Sequence, residues 1–174
     1  MSHPAQMLFV QSVKHHFPDY FKDSKVLEIG SLNINGSVRQ FFENCEYLGV
    51  DLGLGKDVDL VSKGHELSFP DKSFKTVISC ECLEHDKDWQ KTFQKMYDLS
   101  SGLVVMSCAT IGRPEHGTSR HLRMITTKTL LLVILRMYLI FTICLKIFVL
   151  QSIRSVTTFT FGGKLTRSYY ESSN

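Results

Sequence analysis

Beyond residue 120 this sequence has almost no acid. Only Glu171 follows, against seven Lys and Arg, whereas residues 1–120 hold 16 Asp and Glu against 13 Lys and Arg. The formal charge of +3 is therefore −3 for residues 1–120 and +6 for residues 121–174, a break in composition inside a chain of 174 residues. Other absences bound the class. No apolar run follows the start: 1–20 is amphipathic and broken by His15, His16 and Pro18, so no secretory segment is expected and the cytoplasm is the default compartment. The five cysteines (Cys45, Cys80, Cys82, Cys108 and Cys144) are an odd number without framework spacing, which argues against a disulfide scaffold and for reduced core thiols. Cys80 and Cys82 fall on an expected buried strand, where alternate residues share a face. No metal site is expected. Residues 1–120 carry no basic stripe, so no nucleic-acid partner is expected. No internal repeat appears.

What is present alternates. Pro4 to Phe17 has apolar residues Met7, Leu8, Val10 and Val13 at helical spacing, ended by Pro18. Strands are expected at Lys25 to Ser31, Tyr47 to Leu52, Val58 to Val61, Phe74 to Cys82 and Gly102 to Cys108. Helices are expected at Ser37 to Asn44 and at Asp86 to Leu99, the latter with Trp89, Phe93, Met96 and Tyr97 along one side. Strands and helices alternating at these lengths predict an α/β fold: a Rossmann-like, doubly wound, mostly parallel sheet with helices on both faces.

In such sheets ligands bind beyond the carboxyl ends of the strands, where the strand order reverses. The turn after the first strand, Val26-Leu27-Glu28-Ile29-Gly30-Ser31-Leu32-Asn33-Ile34-Asn35-Gly36-Ser37, suits that place: its glycines and small polar residues let backbone approach a ligand. Asp51, 21 residues beyond Gly30 and ending the second strand, can accept hydrogen bonds from both ribose hydroxyls. A loop and an acid of this kind bind an adenosine without saying which. Glu28 separates the alternatives. A carboxylate there repels a pyrophosphate but suits a ligand with a sulfonium and an ammonium. Together with the missing G-x-G-x-x-G this weighs against a nicotinamide-dependent oxidoreductase.

These motifs, with Val58-Asp59-Leu60-Val61, His65-Glu66-Leu67-Ser68-Phe69 and Ser79-Cys80-Glu81-Cys82-Leu83-Glu84-His85, make residues 7–120 resemble the class I S-adenosylmethionine-dependent methyltransferases, in the subgroup acting on small molecules. The resemblance implies S-adenosyl-L-methionine as cofactor and a small-molecule acceptor. It implies that Glu28, Gly30, Ser31, Asn33, Asn35 and Gly36 meet the methionine moiety. Asp51 and Leu52 would meet the ribose side, and His65 and Glu66 the adenine, with Ser79 also in the cofactor site. Glu84 and His85 would border the methyl group as candidates for the base that takes the acceptor's proton. His85 is equally readable as a cap for the helix opening at Asp86. His116 and Arg120, on the loop after the fifth strand, are the candidate acceptor contacts. Two departures stand out. Leu32 and Ile34 occupy the second and third glycine positions of the family's loop, and Lys63 stands where many members hold the adenine amino group with an aspartate.

The tail does not continue this pattern. Leu130 to Leu150 is apolar but for Arg136 and Lys146 and has no proline, glycine or carboxylate. Its length suits a membrane-spanning helix, although each internal cation costs about 2.5–3.5 kcal/mol near the bilayer centre. Membrane contact is expected, if at all, only through 130–150; a buried helix pair is another reading. A third fits better. Read two bases later, the codons of Met124 to Leu130 permit Asp-Tyr-Tyr-Lys-Asn followed by a hydrophobic residue. Those of Thr158 to Lys164 permit Phe-Tyr-Phe-Trp-Gly-Lys. Family members carry stretches like both. Residues 1–120 are thus expected to form the cofactor-binding domain, and 121–174 an atypical tail, as a frameshift would produce. A catalytically defective adenosine-binding module is the alternative function.

Overall fold

The computed structural model describes residues 4–108 and, beyond them, three strands at 147–152, 155–160 and 164–168. Helix α1 is Pro4–His16 and α2 is Trp89–Leu99. The strands are β1 Lys25–Ile29, β2 Glu46–Asp51, β3 Leu60–Val61, β4 Phe74–Cys80, β5 Ser100–Ser107, β6 Ile147–Ser152, β7 Ser155–Thr160 and β8 Lys164–Ser168. They form one sheet in the order β3-β2-β1-β4-β5-β6-β7-β8. Pairing is parallel from β3 to β6 and antiparallel for β7 and β8. The order runs outward from β1 in both directions, so the switch point lies between β1 and β4.

Period-two alternation splits the buried residues into two layers. Leu27, Ile29, Val77, Val104 and Met106 face α2, whose Trp89, Phe93, Met96 and Leu99 recur at three- and four-residue spacing. Val26, Ile78, Cys80, Leu103 and Val105 face the opposite way, onto Phe9, Val10 and Val13 of α1. Each of these large side chains contributes about 1.5–3 kcal/mol by leaving water. Among the described residues the sheet therefore has a helix on each face, as the alternation predicts.

Four expectations need correction. The helix anticipated at Ser37 to Asn44 is only a 3₁₀ turn, Val38–Phe41, which Ser37 caps by accepting from the Arg39 backbone N–H at 3.1 Å. Tertiary contacts override helix propensity here. Phe42 turns extended to stack on Phe21, 4.5 Å between ring centroids, Glu43 bridges to Lys22, and Asn44 takes a φ of 52°. β4 ends at Cys80, not Cys82, because Glu81 takes a φ of 51° and turns the chain; Cys80 and Cys82 join different clusters instead of sharing a face. α2 opens at Trp89, later than Asp86. Finally, Ile147–Leu150 lie in β6, so 130–150 is not one continuous helix. No helix among the described residues is long and apolar enough to cross a membrane.

Candidate functional site

Parallel pairing brings the carboxyl ends of β1, β2, β4 and β5 to one edge. Gly30 leaves β1 with a φ of 86°, a conformation that only glycine adopts without strain. Its backbone N–H, like that of Ser31, donates to the Val50 carbonyl of β2, at 2.8 and 3.1 Å. Across the switch point it meets the chain leaving β4: a Cβ at position 30 would lie 2.5 Å from Cβ and 2.7 Å from Sγ of Cys82. Gly30→Ala is therefore expected to lower stability by about 2–4 kcal/mol, from the left-handed backbone and the collision together. Cys82→Gly in that background should restore only part of the loss. Thermal melts of the single and double variants measure both, and an unaltered Gly30→Ala melting temperature would refute the close approach.

The loop beyond Gly30 is braced on itself and on β2. Ser31 is buried, and its Oγ has no hydrogen-bond partner. Asn33 accepts from the Gly36 backbone N–H at 2.8 Å and donates to Asp57 at 2.5 Å. Gly36 has a φ of 129°, and Asn35 is exposed at the tip. Asp51 ends β2 half-buried: Oδ2 accepts from the Leu32 N–H at 3.1 Å and Oδ1 from the Leu52 N–H at 2.7 Å. Oδ1 also accepts from the Gly53 N–H at 3.4 Å, so one carboxylate ties the two loops together while Oδ2 keeps a second lone pair. The Leu52 side chain stands 67% exposed beside it.

Glu28 sits on the α1 face, 5% exposed, in the interior of β1 between β2 and β4. Burial pushes its carboxyl up to about 7, against which the Tyr47 hydroxyl, donating to Oε2 at 2.7 Å, favours the charged form. Tyr47 was not anticipated, although it opens the motif that ends in Asp51. Ser79 is buried beneath the loop and donates to the Ile29 carbonyl at 2.9 Å, which fixes the end of β1.

The remaining candidates lie on two turns. His65 and Glu66 belong to the 3₁₀ turn Gly64–Glu66, packed on α2; Glu66 pairs with Lys63 at 2.6 Å, and the Nδ1 of His65 is buried without a hydrogen-bond partner. Lys63 thus neutralises the neighbouring carboxylate. His65, Asp86 and Asp88 offer ligand atoms within 4.8 Å of one another. The acids are already engaged, however: Asp86 accepts from the Asp88 N–H and from Thr92, and Asp88 accepts from Lys91. Glu84, 1% exposed, and half-buried His85 follow β4 in the 3₁₀ turn Leu83–His85. His85 does not cap α2, since Asp88 stands at that cap. His116 and Arg120 lie outside the described residues. Burial pushes the Cys80, Cys82 and Cys108 thiols up to about 12, so all three stay protonated core thiols near neutral pH.

The site suits a ligand carrying an adenosine and positive charge. The Gly30 turn sets its backbone N–H groups on β2, the buried Ser31 hydroxyl has no hydrogen-bond partner among the described residues, Asp51 ties the loop to β2, and Glu28 is buried two residues before the turn. Residues 32–104 match the model of a methyltransferase domain. No curated protein sequence matches the chain. Among solved structures, the chain is similar to the Burkholderia thailandensis 1,6-didemethyltoxoflavin-N1-methyltransferase, solved with bound 1,6-didemethyltoxoflavin and S-adenosylhomocysteine. The two share 14% identity with a TM-score of 0.46, over 96% of this chain and 62% of that one. The chain thus spans less than two thirds of that protein's length, and so distant a likeness assigns no role to any residue here.

Proposed function

We propose, from the match of residues 32–104 to a methyltransferase domain, that the chain is a class I S-adenosylmethionine-dependent methyltransferase that transfers a methyl group to a small-molecule acceptor. The cofactor is S-adenosyl-L-methionine, which supplies an electrophilic methyl on a good leaving group. The observation that carries the reading is the joining of the Gly30 loop to Asp51 at the switch point, with Glu28 buried beneath it.

In this reading the Gly30–Gly36 backbone lies against the methionine moiety, with Ser31, Asn33 and Asn35 supplying polar contacts. Asp51 accepts from the ribose, Leu52 covers it, and His65 and Glu66 border the adenine. Ser79 acts from beneath, by holding the end of β1. Glu84 and His85 border the reacting carbon, and either is in place to take a proton from a hydroxyl or amine acceptor. His116 and Arg120 contact the acceptor. The rest of catalysis is positioning and exclusion of water. Residues 1–120 form the cofactor-binding domain, and 121–174 are an atypical, frameshifted tail; a coding sequence with no insertion or deletion near codon 120 would overturn that part.

Isothermal titration of the full chain with S-adenosylmethionine, S-adenosylhomocysteine and NAD tests the reading. Binding of the first two and not the third is expected. Binding of NAD alone would sink it, and binding of S-adenosylmethionine without methyl transfer to any fraction of a small-molecule extract would favour a non-catalytic module.

A further inference from the structure

We propose that Tyr47 is a positioning residue for the cofactor: its phenol holds the Glu28 carboxyl in the single orientation in which the carboxylate meets the ligand's positive charge. This rests on the cofactor reading above and adds to it a residue that touches no part of the ligand.

The geometry is a chain of contacts that begins at the protein surface. Asp59 accepts from the Arg39 guanidinium at 2.8 Å and from the Gly49 backbone N–H at 2.7 Å. The same guanidinium nitrogen donates to the Tyr47 carbonyl at 2.9 Å, and its carbon lies 4.7 Å from the centre of the Tyr47 ring. Phe42 meets the same ring edge-on, 5.2 Å between centroids, and is itself stacked on Phe21. Arg39 and Phe42 both pack on the ring, and its hydroxyl points at Glu28 Oε2, 2.7 Å away. Tyr47 itself stays protonated, since burial and the neighbouring Glu28 push its phenol well above the ordinary range. It therefore donates at every physiological pH, and a donated hydrogen bond favours the ionised carboxyl.

Other groups face Glu28 from every side. Cys80 of β4 is adjacent and stays protonated, hydrogen-bonded by Gln6 of α1 and by Ser107. Arg39 favours the carboxylate, while Asp51 and Asp57 oppose it. Of these, only Tyr47 donates a hydrogen bond directly to the carboxyl in the described contacts.

The test is the pH dependence of S-adenosylmethionine affinity, measured by calorimetry on the full chain from pH 5.5 to 9. In the wild type, affinity should rise with pH and level off above about 7, as Glu28 ionises. Tyr47→Phe removes the donor and little volume; the levelling point should move up by about one unit and affinity at pH 7 should fall about fivefold. Incorporating 3-fluorotyrosine at position 47 keeps the ring's shape and strengthens the donor, so the levelling point should move down. In a Glu28→Gln background Tyr47→Phe should change nothing further. An equal affinity loss at every pH, with the levelling point unmoved, would overturn the proposal and leave Tyr47 as packing. Failure of the wild type to bind S-adenosylmethionine at any pH would instead overturn the cofactor reading, and this inference with it.

Discussion

Glu28→Gln should make the protein more stable above pH 7, by about 3 kcal/mol, while costing it ten- to a hundredfold in S-adenosylmethionine affinity. The two effects have one cause. Burial raises the Glu28 carboxyl from 4.5 to about 7, a difference of about 2.5 units, each worth about 1.4 kcal/mol between protonation states. The folded state therefore holds a proton that the unfolded chain has already released between pH 4.5 and 7. Where the native state binds the extra proton, stability falls as pH rises. For the wild type the contribution of Glu28 is least unfavourable below 4.5, worsens through that window and is constant above about 7. Glutamine has no proton to lose and keeps an oxygen to accept from Tyr47, so the variant lacks that slope. Urea denaturation of both proteins at pH 5 and pH 8 checks this. The variant's advantage should be large at pH 8 and small at pH 5, and parallel stabilities at both would place Glu28 in a more solvated setting than β1 provides. A carboxylate that costs stability in the middle of a strand needs a reason to be there, and a cationic ligand beside it supplies one.

Asp51→Ala should weaken S-adenosylmethionine binding by one or two charge-assisted hydrogen bonds, about 1.5–3 kcal/mol each, and thus by ten- to more than a hundredfold. Part of the loss is indirect. The same carboxylate accepts from the Leu32 and Leu52 backbone N–H groups, so its removal also loosens the loop proposed to hold the methionine moiety. Asp51→Asn separates the contributions. An amide retains one acceptor oxygen for a backbone N–H but loses the charge and one ribose acceptor, so it should fall between wild type and alanine. Calorimetry gives the affinities directly. An alanine variant that binds as the wild type does would remove Asp51 from the site and leave it as a loop brace.

What is legible in the sequence and what is not divides along the range of the interactions involved. The β1 motif, the acid ending β2 and the apolar stripe of α2 are local patterns: side-chain period and turn chemistry express them within a dozen residues, and the structure keeps all three. The segment after Ser37 departs from its helical spacing because its conformation is decided by Phe21 and Lys22, which lie before β1. Cys82 was assigned to a strand because nothing in its neighbours announces the turn at Glu81, a non-glycine residue with positive φ whose side chain accepts from Ser107 of β5 at 3.2 Å. His65 and Asp88 are 23 residues apart, and only packing of their two turns brings them together.

The sequence by itself pointed to the class of ligand: a small-residue turn, an acid one strand later and a carboxylate where a phosphate would need none are choices of residue type, and residue type is chemistry. The tertiary structure decided the state of those groups. Glu28 is a costly buried acid only because β2 and β4 flank it and α1 covers its face, and Tyr47 is its donor only because Arg39 and Phe42 pack its ring. Charge state follows from desolvation and from partners brought by long-range pairing, and neither is written in the spacing of residues along a chain.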